Sequence, residues 1–143
     1  GDAALRTVQH LDTLQELRLE FTGTVTSEGV RRIGTLRELR LLCLPALSKD
    51  TRLEPPGTLV KLVTLELSTA TLDDNIFSTL PALPELVNLN LRGTSLSAGG
   101  LQLLRRLPKL RSLDLSASPM TADYFKEISE LGGLHELRLD QAA

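Results

Sequence analysis

The chain has 143 residues, 41% of them apolar and 24% charged, with a net charge of −2 and a pI near 5.7. These values fit a single water-soluble domain over residues 1–143 and leave no electrostatic case for a nucleic acid or an anionic membrane surface as main partner. No segment approaches the roughly 18 consecutive apolar residues of a membrane-spanning helix, and the lone cysteine, Cys43, allows no internal disulfide, which points to a reducing, cytoplasmic compartment.

Residues 4–11, Ala-Leu-Arg-Thr-Val-Gln-His-Leu, have the pattern of a helix with no strand before it. From position 14 a frame of three leucines, Leu-x-x-Leu-x-Leu, starts and recurs. Its six copies are Leu14, Leu17 and Leu19; Leu36, Leu39 and Leu41; Leu62, Leu65 and Leu67; Leu86, Leu89 and Leu91; Leu110, Leu113 and Leu115; and Leu134, Leu137 and Leu139. The starts advance by 22, 26, 24, 24 and 24 residues. Leucine is only about a quarter of the chain, so chance does not fill every framed position with it. Each frame predicts a short strand, and strands recurring at this period predict a parallel sheet.

Further columns align with the frame. Three residues ahead of it stand Leu11, Ile33, Leu59, Leu83, Leu107 and Leu131, and after it come Val25, Leu47, Leu72, Leu96 and Met120. Directly behind these are Thr26, Ser48, Asp73, Ser97 and Thr121, each able to accept from the free amides of a helix start. The predicted helices cover 98–106, 122–130 and 74–79, the last cut short by Pro81. Phe77 and Phe125 fall at the same helical place and are expected in the core. Glu54-Pro55-Pro56-Gly57 cannot remain helical and predicts an irregular loop near 50–58.

The frame resembles the leucine-rich repeat family, over residues 5–140, nearly the whole chain. The resemblance implies an α/β solenoid with a curved, parallel, concave sheet and short helices on the convex side. Repeats of about 24 residues, with Leu91-Arg-Gly-Thr94-Ser-Leu96-Ser-Ala-Gly-Gly-Leu101 as the example, are similar to those of bacterial effectors and F-box-type receptors. Where many members of the family carry a turn asparagine, this chain has Thr22, Leu44, Ala70, Thr94 and Ser118, and only the hydroxyls can replace part of its bonding. Such modules bind other proteins through the concave face. The alternatives are the substrate-recognition arm of a larger enzyme, such as a ubiquitin ligase or an effector, and a scaffold that self-associates through uncapped ends. Both ends look cut, so a segment of a longer protein is expected.

Catalysis fails on inventory. His10 and His135 stand at opposite ends of the stack, Cys43 has no histidine in its own or an adjacent repeat, and no metal-ligand or phosphate-loop motif occurs. Asp73 and Asp74 are too few oxygens for a metal. No enzyme activity, cofactor or metal is expected. The basic run Arg105, Arg106, Lys109 and Arg111 reads as solvated surface. The side chains between the framed leucines remain as the candidate partner-binding face: Glu16, Arg18, Glu38, Arg40, Leu42, Glu66, Asn88, Asn90, Arg92, Asp114, Glu136 and Arg138, with small residues such as Thr64 and Ser112 among them. Leu42 is the apolar exception and a candidate anchor.

Overall fold

A computed structural model describes residues 2–19, 23–44, 47, 50–53, 59–67, 72 and 74–140, with 75 and 76 as backbone only. Among these, helix α1 (Asp2–Val8) precedes strand β1 (Glu16–Arg18) and helix α2 (Ser27–Ile33). Strands β2 (Leu41–Cys43) and β3 (Thr64–Glu66) follow, then helix α3 (Asp74–Ser78) and strand β4 (Asn88–Asn90). Helix α4 (Ala98–Leu103) continues into a 3-10 turn at Leu104–Arg106 before strand β5 (Ser112–Asp114), helix α5 (Ala122–Ser129) and strand β6 (Glu136–Arg138). The six strands form one parallel sheet in the order β1-β2-β3-β4-β5-β6, so the fold is α/β with each strand beside its sequence neighbour.

Leucine is a modest strand former, and three residues are too few to hold a strand by propensity. Burial supplies the drive. The central leucines Leu17, Leu42, Leu65, Leu89 and Leu113 all turn into one apolar cluster with Val30, Phe77, Leu101 and Ile128 of the helices. Each buried leucine contributes on the order of 1.5 to 3 kcal/mol. Thr26, Ser97 and Thr121 cap α2, α4 and α5 with their hydroxyls, as expected. Ser48 and Asp73, the turn residues Thr22 and Ala70, and the loop residues 54–58 lie outside the described residues. The part of that loop within them, 50–53, is not helical. There the Thr51 hydroxyl donates to the Val25 carbonyl (2.9 Å) and the Leu53 amide to the Thr79 hydroxyl (3.1 Å).

The second frame is displaced from its expected position. β1 sets Leu17 against Leu42, and β2 sets Leu42 against Leu65, so the frame is Leu39, Leu42 and Leu44. The starts therefore advance by 25, 23, 24, 24 and 24 residues. Leucine at 36, 39, 41, 42 and 44 satisfies the motif in two ways. Helix geometry decides between them. Two successive three-residue turns lead from helix to strand: the amides of Leu110 and Leu107 donate to the carbonyls of Leu107 and Leu104 (3.2 and 3.0 Å), and those of Leu134 and Leu131 to Leu131 and Ile128 (3.1 and 2.9 Å). The same pair runs from Leu39 to Leu36 (3.2 Å) and from Leu36 to Ile33 (2.9 Å). Ile33 is thus the last residue of α2, Leu36 takes its place in the apolar column, and Leu44 is a strand leucine with no turn-residue role.

The helices are stapled at two junctions by one device. The Asp2 carboxylate accepts from the Thr26 amide (3.0 Å) and hydroxyl. The Asp74 carboxylate accepts from the Ser97 amide (2.9 Å) and hydroxyl. Each pair joins the first residue of one helix to the cap of another. In both, the third helical residue after the cap is glycine: a Cβ on Gly29 would stand 2.3 Å from an Asp2 oxygen, and one on Gly100 would stand 2.4 Å from an Asp74 oxygen. Where α4 begins with Ala98 the corresponding residue of α5 is Tyr124, buried, with its hydroxyl donating to the Leu96 carbonyl. Burial, and then the nearby Asp74 charge, push the Tyr124 phenol up to about 12.

The two phenylalanines do not share one environment. Phe77 is fully buried, whereas Phe125, on α5, the last helix among the described residues, is 53% exposed. Of the turn hydroxyls, Thr94 donates to the Leu91 carbonyl (2.8 Å), and Ser118 reaches the same carbonyl from the following unit (3.5 Å).

Candidate functional site

Alternation along each strand sends the central leucine inward and the two flanking side chains to the sheet face opposite the helices. Parallel register then stacks these into two rows. One is Glu16, Leu41, Thr64, Asn88, Ser112 and Glu136; the other is Arg18, Cys43, Glu66, Asn90, Asp114 and Arg138. Eight expected face residues stand in these rows: Glu16, Arg18, Glu66, Asn88, Asn90, Asp114, Glu136 and Arg138. Arg92 is exposed in the turn just after β4.

Glu38, Arg40 and Leu42 do not belong to the face, all for the one reason that the second frame begins at Leu39. Leu42 is 4% exposed and part of the core. Arg40 precedes β2, its amide donating to the Gln15 carbonyl (2.7 Å) and its carbonyl accepting from Val63 and Thr64 (2.8 and 2.9 Å). Glu38 stands on the rim where the strands start and pairs with Lys61 (2.6 Å). One rim position on, Glu85 pairs with Lys109 (2.7 Å), so the rim carries Glu38, Lys61, Glu85 and Lys109 in alternating sign. The rim signal was available in the sequence as a Lys/Glu alternation of period 23 to 24, once the second frame is shifted.

Leu41 and Cys43 occupy the face instead. Cys43 is only 7% exposed. The guanidinium of Arg18 in β1 and the carboxylate of Glu66 in β3 stand 3.7 Å apart across it, a partly exposed ion pair spanning the strand between them. Such a pair adds about 0.2 to 1 kcal/mol.

The β3–β6 half of the face holds a shallow depression of about 240 Å³ lined by Thr64, Glu66, Asn88, Leu89, Asn90, Ser112, Asp114, Glu136 and Arg138. Several lining groups are already held in place. Asn88 Nδ2 donates to the Thr64 hydroxyl (3.1 Å), Asn90 Oδ1 accepts from the Arg92 backbone amide (2.9 Å), and Asp114 Oδ1 accepts from the Ser116 backbone amide (2.8 Å). Glu136 accepts from the Ser112 hydroxyl (2.8 Å) and pairs with Arg138 (2.7 Å), and these two contacts, the hydroxyl first, hold its carboxyl below the usual carboxylate value. Three carboxylates against one guanidinium make the depression acidic. The Asn90 and Asn88 side chains are bound within the face, so they act less as free hands for a partner than as fixed edges of a preset surface.

The basic run is distributed among neighbours. Arg105 pairs with the buried Glu127 (2.7 Å), which also accepts from Gln102 (3.0 Å), and Lys109 belongs to the rim ladder. His10 and His135 are both exposed, on the turn after α1 and ahead of β6. Among the described residues no three His, Cys, Asp or Glu side chains converge as a metal site, and no helix is long and apolar enough to cross a membrane. No protein-family model matches this chain, and no curated protein is similar enough in sequence to stand as its relative.

Proposed function

We propose that this chain is a leucine-rich repeat solenoid that works as a non-enzymatic binding module, holding another protein on the concave side of its sheet. The single observation that carries the reading is the preset polar depression across β3 to β6, where four consecutive strands present register-matched side chains without an intervening loop. Its hydrogen-bonded groups have little rotamer freedom left to lose on binding, which favours affinity from a polar surface. Its acidity favours a partner segment bearing lysine or arginine, with charge governing encounter and orientation.

The test is capture from cell lysate by the wild-type chain, by a Glu66→Lys, Asp114→Lys variant and by a Lys126→Glu variant altered on α5. Proteins held by wild type and Lys126→Glu but lost by the face variant support the reading. Capture that survives the two face substitutions refutes it.

A further inference from the structure

Away from the concave face, a cleft of about 240 Å³ lies on the rim where the strands start, at the junction of two described units. Its apolar walls are Leu104, Leu107 and Leu110 from one unit and Leu131 and Leu134 from the next. Local sequence creates the space. Between the leucine that ends the helix turn and the first strand leucine, other units carry Arg37-Glu38, Val60-Lys61, Pro84-Glu85 and Pro108-Lys109, whereas this one has Gly132-Gly133. A Cβ on Gly132 would meet nothing within 4 Å, and one on Gly133 would stand 2.7 Å from Arg111 Nη1. Two absent side chains thus leave the cleft open and let the Arg111 guanidinium lie against Gly133.

Three charged residues line the cleft: Arg105, Arg111 and Glu130. Arg105 is already held by the buried Glu127 (2.7 Å). Arg111 and Glu130 have no ion-pair partner among the described residues. Arg111 is half-buried and fixed: its carbonyl accepts from the amides of His135 and Glu136 (2.8 and 3.0 Å), and Nη1 donates to the Leu110 carbonyl (2.9 Å). Its remaining donors suit a carboxylate, which a guanidinium binds in a charge-assisted fork. The rim ladder makes the same demand. It alternates Glu38, Lys61, Glu85 and Lys109, and its next place, due a negative charge, falls at Gly133. Glu130 is exposed and supplies the opposite need, an acceptor for a cation.

We propose that this cleft binds a free apolar α-amino acid, with its carboxylate on Arg111, its ammonium on Glu130 and its side chain against the leucine walls. A zwitterion answers both unpaired charges at once. A purely anionic ligand would leave Glu130 without a counter-ion and face its repulsion, and a purely cationic one would do the same at Arg111. The volume is below the roughly 300 to 1,000 Å³ of sites that take drug-sized ligands, which fits an occupant this small. The site stands apart from the β3–β6 depression and does not depend on what binds there.

The test is titration of the isotopically labelled 143-residue chain with L-leucine, followed by the amide signals of Gly132 and Gly133 in two-dimensional nuclear magnetic resonance spectra. Both signals are expected to shift and saturate. Leucinamide, which lacks the carboxylate, and N-acetyl-leucine, which lacks the ammonium, should each bind at least about tenfold more weakly. Arg111→Gln should weaken leucine binding by a similar factor, whereas Arg106→Gln, altered outside the cleft, should leave it unchanged. Glu130→Gln should weaken leucine binding but not N-acetyl-leucine binding. Dispersed spectra check that each variant is folded. Absence of a saturable shift with leucine, or undiminished binding by Arg111→Gln, would overturn the proposal. N-acetyl-leucine binding as tightly as leucine would also overturn it, in favour of the C-terminal residue of a peptide.

Discussion

Replacing Gly100 by alanine should destabilise the protein, against the direction that helix propensity predicts. Alanine in a helix interior is favoured over glycine by about 1 kcal/mol. At Gly100, however, a Cβ would lie 2.2 Å from Leu96 Cδ1 and 2.4 Å from Asp74 Oδ1, well inside contact distance. Overpacking of that kind costs about 1 to 3 kcal/mol. Displacing the Asp74 carboxylate from the Ser97 amide and hydroxyl removes about another 1 kcal/mol. The net expectation is a loss of about 1 to 3 kcal/mol, read as the shift in urea midpoint with an unchanged slope. Gly99→Ala is the control, because its Cβ would meet only the Ser97 hydroxyl, at 3.3 Å, a tight contact in place of a clash, so it should cost clearly less than Gly100→Ala. In an Asp74→Ala background the cost of Gly100→Ala should shrink, since one of the two obstructing groups is gone. A Gly100→Ala variant as stable as Gly99→Ala would refute the packing argument.

Two other outcomes follow from contacts described above. Arg18→Ala should open Cys43, so that a thiol reagent modifies the folded variant at least several-fold faster than the folded wild type; equal rates would mean that the Arg18–Glu66 pair does not shield the thiol. Tyr124 should ionise in the folded protein near pH 12, followed by ultraviolet absorbance, against an ordinary value of 10. Because the folded value is raised, the protecting contribution is complete below pH 10 and is lost as pH rises toward 12, so alkaline unfolding should set in across that window. A Tyr124→Phe variant should lack that component, and an unchanged alkaline profile would count against it.

Most of the strand layer was legible because leucine at a fixed offset must turn inward wherever the strands lie side by side. Helices α4 and α5 were legible through Ser97 and Thr121, whose hydroxyls announce a helix start. The second unit was not, because five leucines between 36 and 44 fit two frames and only the six residues needed to turn from Ile33 to Leu39 distinguish them. That one ambiguity moved Glu38, Arg40 and Leu42 off the face and brought Leu41 and Cys43 onto it. Phe125 misled for a different reason: its position matches that of Phe77, but burial at that position depends on what packs beside the helix, a property of the neighbour and invisible in the residue itself. The depression could be anticipated as a set of residues, whereas the Asn90, Asp114 and Glu136 bonds that hold it depend on side-chain rotamers that spacing does not determine.

The aspartate–glycine staple also bears on how such a chain can be rearranged. Its strands are interchangeable, since removing residues 86–109 would bring Leu65 beside Leu113 with the leucine phase intact. Its helices are not. The same deletion would set the Asp74 carboxylate against Tyr124 in place of Gly100, a bulky ring where the carboxylate needs an empty Cβ position. The first residue of one helix and the third of its neighbour therefore act as a compatibility key. Duplication or loss of a unit is tolerated only at boundaries where an aspartate meets a glycine, or an alanine meets a larger side chain.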